Sequence, residues 1–148
     1  MGQRLIDVWA GKHIGRKFIW GETDCHQLLY QFVKLMNPKW GDPHNLGALR
    51  GTYKNKIQAI RVARKLDIPK WFDELGYDCI NVNKIQTGDI AVVKNNDERI
   101  SYDMYWPVIA NQTVIVGDPT DDIIKQRHIG ELGNYDYKVY RRRQCQEQ

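Results

Sequence analysis

Trp20-Gly21-Glu22-Thr23-Asp24-Cys25 runs into Leu28, Leu29, Phe32, Val33 and Met36, and this junction of a polar turn with an apolar stripe organises the chain. The spacing sets those side chains, with Cys25 at their head, on one face of a 3.6-residue period, which predicts an amphipathic helix opening at Cys25. Gly21 allows a tight approach of the backbone, and Thr23 or Asp24 fits the N-cap role. The remaining amides of the first turn would then point at the sulfur, and the helix-end field favours a thiolate there. The same position equally suits a buried cysteine that begins a core stripe, since cysteine is among the most buried residue types. His26 projects about 100° further round the helix and is expected to serve its neighbour poorly as a general base.

A chain of 148 residues is expected to form one domain with a real core, and 42% hydrophobic with 11% aromatic residues excludes a disordered protein. Five Trp and eight Tyr suit either an aromatic-rich core or a broad contact surface. The net charge of +4 is uneven. Residues 1–75 hold 13 Lys or Arg against 7 Asp or Glu, residues 76–140 hold 6 against 10, and the tail from Arg141 holds 3 against 1. Such a distribution suits an anionic or polyvalent partner. Cys25, Cys79 and Cys145 are odd in number and far apart, with no Cys-x-x-Cys pair, so neither a structural zinc site nor a disulfide scaffold is expected, and no cofactor is. No signal-peptide pattern and no apolar run of roughly 20 residues is present, so synthesis in the cytoplasm without membrane insertion is expected.

Upstream of the central stretch, Arg4 to Ala10 reads as a short helix packed through Leu5, Ile6, Val8 and Trp9, with His13 in a solvated loop after it. Downstream, Asn37-Pro38 ends the long helix. Lys39 to Tyr53 then reads as an ordered loop held by Trp40, Leu46, Leu49 and Tyr53, with Arg50 expected to hold it through several hydrogen bonds. Thr52 or Asn55 is a candidate cap for a basic helix with Ile57, Ile60, Ala63 and Leu66 on its inner face, and Pro69 opens a further turn burying Trp71, Phe72 and Leu75. From Gly88-Asp89 the period changes to 2. Strands are predicted over Ile90–Val93, Tyr105–Ala110, Thr113–Val116 and Tyr135–Arg141, with a hairpin loop from Lys94 to Arg99 and Pro107 pushing its strand to a sheet edge. Asp118, Asp121 and Asp122 fit no EF-hand spacing and read as turn residues. Helices followed by a small antiparallel sheet make an α+β domain over residues 1–140, with 141–148 as a short basic tail.

Taken in order, Trp20-Gly21-x-x-Asp24-Cys25, Leu49-Arg50-Gly51-x-Tyr53, a basic helix and Gly88-Asp89-Ile90-Ala91-Val92-Val93 resemble the NlpC-type branch of the papain-like cysteine peptidases, and more narrowly its small phage tail-associated members. The resemblance covers Arg4 to Tyr140. It implies N-terminal helices packed on a small antiparallel sheet, with Cys25 as nucleophile and peptide bonds of peptidoglycan stems as substrate. It also implies a histidine on the strand after Gly88-Asp89, to take the thiol proton and return it to the leaving amine. Ile100 to Val108 contains no histidine. His128 is the substitute base the sequence offers, ahead of His13 and His44, while Asp103 or Tyr102 could hydrogen-bond the thiol.

The expectation that follows is a virion or tail-assembly component in a phage tail, bound to other virion proteins, that keeps the peptidase fold as a packing module. The alternative is a working cell-wall peptidase delivered by a tail. A lesser one is a nucleic-acid-binding accessory protein using Lys54 to Lys65 and Arg141-Arg142-Arg143.

Overall fold

The computed structural model describes residues 2–42, 45–94 and 103–143. Four helices, α1 (Gly2–His13), α2 (Cys25–Met36), α3 (Lys56–Arg64) and α4 (Ile68–Glu74), lead into a sheet of six strands. The strands are β1 (Tyr77–Ile80), β2 (Ile90–Val93), β3 (Met104–Ala110), β4 (Thr113–Val116), β5 (Lys125–His128) and β6 (Tyr137–Arg142). Every pairing is antiparallel, in the order β1-β6-β2-β3-β4-β5. The architecture is α+β, with the N-terminal helices on one face of the sheet.

The apolar stripe of α2 decides which face that is. Leu28, Leu29, Phe32 and Val33 are completely buried, and they share a cluster with Ile90, Tyr105, Ile109 and Ile115 from the sheet and with Trp71 and Phe72 from α4. Trp106, Val108, Val114 and Val116 point to the opposite face, where Leu132 from the short 3-10 turn Ile129–Asn134 covers them. Alternation along β3 thus sends Tyr105 toward the helices and Trp106 away from them.

Several local expectations change. Two short strands, β1 and β5, join the four read from the sequence. Pro107 lies on the interior strand β3, not at an edge. Its neighbour Val108 donates to Asp89 O on the β2 side, and pairing with β4 begins only at Val108, so the missing proline N–H falls beyond that ladder. α1 extends to His13, which is half-buried with its ring edge-on to Trp9 at 5.2 Å. Leu5 and Val8 stand 53% and 52% exposed, and the buried face of α1 is Ile6, Trp9 and Ala10. On α3, capped by Asn55, Ala59 and Ala63 are buried and Ile60 is half-buried, as is Leu66 just after it, whereas Ile57 is exposed. β6 runs through Arg142, so Arg141 and Arg142 belong to the sheet and are not part of a tail. His44, Tyr102, Cys145 and most of the expected hairpin loop fall outside the described residues.

The loop after α2 is held by Trp40, Leu46 and Tyr53, all buried, but not by Arg50, which is exposed. Asp42 holds it instead, its two oxygens accepting from Leu46 N at 2.7 Å and Gly47 N at 2.8 Å. No helix among the described residues is long and apolar enough to cross a membrane.

Candidate functional site

Asp24 builds the corner that presents Cys25. It is the N-cap of α2, and its buried carboxylate accepts from Gly21 N at 2.6 Å, from His26 N and Gln27 N at 3.1 Å each, and from the Tyr53 hydroxyl at 3.0 Å. Gln27 Nε2 in turn donates to Tyr53 Oη at 3.3 Å. One carboxylate therefore ties the turn, the helix and the following loop together. Gly21 has φ +81°, and a side chain there would run into the Tyr53 carbonyl, while Gly51 N donates back to Gly21 O at 2.9 Å. Half-buried Trp20 completes the turn by packing at right angles to Phe18. Gly117 closes the corner from below: a Cβ there would come within 2.6 Å of Thr23 O, a close approach that the sequence reading did not single out.

Cys25 is the first residue of α2 and is 5% exposed. The amides expected to face its sulfur are instead taken by Asp24. The consequence reverses the expected thiolate: burial first, then the Asp24 charge, pushes the thiol up to about 12, against a backbone hydrogen bond from Tyr105 that lowers it. His26 is buried too, and its Nδ1 lies 3.8 Å from Cys25 Sγ, so adjacency on the helix does not keep the two apart. Burial lowers its pKa while Asp24 pulls the other way. Burial therefore disfavours the charged form of both the thiol and the imidazole.

On β3, the strand where a histidine is expected, Tyr105 packs against this corner, its ring 5.3 Å from that of His26. Tyr105 also walls a cleft of about 330 Å³ between β2, β3, β6 and α4. Asp103 lines that cleft with Lys94, Lys138 and Asp136, and burial raises its carboxyl above the usual range in spite of the two lysines. Neither Cys25 nor His26 is among the described lining residues, so Tyr105 separates Asp103 and the cleft from the sulfur.

His128 does not meet Cys25. It is exposed on the edge strand β5 and pairs with Thr113, whereas Gly117 under the Cys25 corner follows the opposite end of β4. Its Nδ1 accepts from Gly130 N at 2.9 Å, which makes it a cap for the 3-10 turn. Asp118 and Asp121 are turn residues: Asp118 accepts from Thr120, and Asp121 pairs with Lys125 and Arg127. Among the described residues no three His, Cys, Asp or Glu side chains gather as a metal site would require.

Gly88 and Asp89 act away from the thiol. Gly88, at φ +96°, turns the chain into β2, and Asp89, 1% exposed, takes a bidentate pair from Arg141 at 2.8 and 2.9 Å. Arg141 also donates to Lys84 O at 2.7 Å. The sequence signal for this pair was present in the buried Gly-Asp motif, which needs a cation, but the cation lies 52 residues away.

A family model described as a domain of unknown function, DUF6950, matches residues 3–122. The chain belongs to that family. The DUF6950 match spans the Cys25 corner, the Asp42 loop and β1 to β4, and stops before β5 and β6. No curated protein matches the sequence. Among solved structures, NlpC2 from Trichomonas vaginalis is similar in fold to this DUF6950 chain, with a TM-score of 0.53 at 13% identity over 95% of the chain. The chain spans 45% of that protein's length. At that identity the likeness concerns the fold alone.

Proposed function

We propose that this DUF6950 protein is a structural or assembly component that keeps a peptidase-like fold as a packing module, and, following the sequence resemblance, that it works among the tail proteins of a phage particle. The observation that carries the non-catalytic part is the Cys25 corner: a thiol pushed to about 12, sealed at 5% exposure, with Tyr105 on the strand where a base is expected. Acyl transfer needs a nucleophile in its thiolate form and a donor for the departing amine. The burial of the thiol and the tyrosine that stands on β3 in place of a histidine both speak against that chemistry.

A second reading rests on the 3.8 Å contact of His26 Nδ1 with Cys25 Sγ. In that reading His26 takes the thiol proton once a peptidoglycan stem peptide has displaced Tyr105, and gives it to the leaving amine. Release of new amino termini from purified sacculi separates the two readings. The assembly reading expects wild type to equal Cys25→Ala. Cleavage that disappears in both Cys25→Ala and His26→Gln would establish the peptidase instead.

A further inference from the structure

Two depressions lie on the helical side of the molecule, of about 560 and 580 Å³. Both are lined by Trp9 of α1 and Leu35 of α2, so they form one groove between those helices and the loop after α2. Leu5 and Val8, half exposed, make its open wall, and Trp9, Leu35 and Trp40 its floor. An exposed apolar surface of this kind in a chain with a well-filled core signals a contact site.

The rim is cationic. Arg4 and Lys12 stand at either end of the α1 wall and Arg50 on the opposite side, beside Lys34, whose ammonium donates to Pro38 O and Trp40 O at 2.8 Å each. Positions 4, 8 and 12 follow one ridge of the helix, so the two α1 cations are separated by about 12 Å with Val8 between them. Asp42, the carboxylate among the described lining residues, is already held by the Leu46 and Gly47 amides.

We infer that this groove receives an acidic amphipathic helix from another protein, with apolar anchors at i, i+3, i+4 and i+7 seated between Leu5 and Trp40 and carboxylates along both flanks meeting Arg4, Lys12 and Arg50. Its concavity favours a helix over a bilayer, which takes up convex apolar faces. Charge disfavours a second copy: among the described residues the α-helices that expose large apolar side chains are α1 and α3, and both carry a basic surface. The surface stands whether or not Cys25 turns over a substrate.

Fluorescence anisotropy of a labelled synthetic helix with Leu at those four positions and Glu on the flanks tests the inference, beside the same helix with Lys flanks. Binding should weaken by roughly tenfold or more with the Lys helix, and similarly in Leu5→Glu/Val8→Glu, while Ile57→Glu on α3 binds as wild type. Circular dichroism checks that the double variant is folded, as its exposed positions lead one to expect. Absence of binding by the Glu helix, or equal binding of both helices, would overturn the inference. So would adhesion to phosphatidylserine vesicles, or self-association in sedimentation, that the double variant abolishes.

Discussion

The Cys25 corner and the α1–α2 groove lie on the same helical side of the sheet and are built on opposite principles. The corner has the residues of chemistry without access: a thiol, an imidazole at 3.8 Å and a carboxylate whose four contacts are all internal. The groove has access without chemistry, being apolar, open and rimmed with cations. Within the motif that looks catalytic in sequence, the Asp24 carboxylate holds a turn, a helix and a loop together, and the surface open to another molecule is one that a motif search passes over. Buried polar groups that are satisfied make a site rigid, and the Asp24 carboxylate, with its four donors, has that character.

The largest break in the comparison should come from Asp24→Ala. It leaves the Gly21, His26 and Gln27 amides and the Tyr53 hydroxyl without their acceptor, and we expect a loss of roughly 3–5 kcal/mol in urea denaturation. A smaller loss of about 2 kcal/mol is expected for Arg141→Ala, which strands the Asp89 carboxylate; the Arg141 side chain is 32% exposed, and solvent screening limits the effect. If Arg141→Ala proves the more damaging of the two, the corner takes its rigidity from the sheet and not from Asp24.

Acid should sharpen the same contrast at smaller amplitude. Burial lowers the His26 pKa below its ordinary 6.5, with Asp24 opposing, so the folded chain refuses a proton that the unfolded chain accepts. The corresponding stability is present above about pH 6.5 and is lost as pH falls through the folded value. Part of that loss should disappear in His26→Gln. The remainder belongs in part to His13, whose pKa is lowered by burial against a hydrogen bond it donates to Gln31. Identical denaturation profiles against pH for wild type and His26→Gln would show that the imidazole is not buried in neutral form.

Legibility followed range. The stripe of α2, its cap and the strands β2, β3, β4 and β6 are written in local spacing, and each lies within a residue or two of its expected place. β1 and β5 are edge strands of four residues, Tyr77-Asp78-Cys79-Ile80 and Lys125-Gln126-Arg127-His128, and their pairing is imposed by β6 and β4 because neither carries apolar alternation of its own. Of Leu5, Ile6, Val8 and Trp9, all assigned from the sequence to the packed face of α1, Ile6 and Trp9 are buried while Leu5 and Val8 are half exposed, and only tertiary packing decides between the two pairs. At the site, Cys25, Asp24, Gly21 and Tyr53 were readable, since a turn before a helix has a known chemistry. What the spacing could not carry was the state of the sulfur. That depends on Asp24 taking the first-turn amides, on Tyr105 arriving from a strand some 80 residues on, and on the rotamer that brings His26 back over Cys25.

The molecule supplies its own control for the central claim, because Cys25 is buried and Cys79 is exposed, both as free thiols. Alkylation of the folded protein by iodoacetamide near neutral pH, followed peptide by peptide in a mass spectrometer, compares them directly. A closed, neutral corner predicts that Cys79 is modified first and that Cys25 reacts only as the protein unfolds. Modification of Cys25 ahead of Cys79 in the folded chain would mean an accessible thiolate, and would contradict the account.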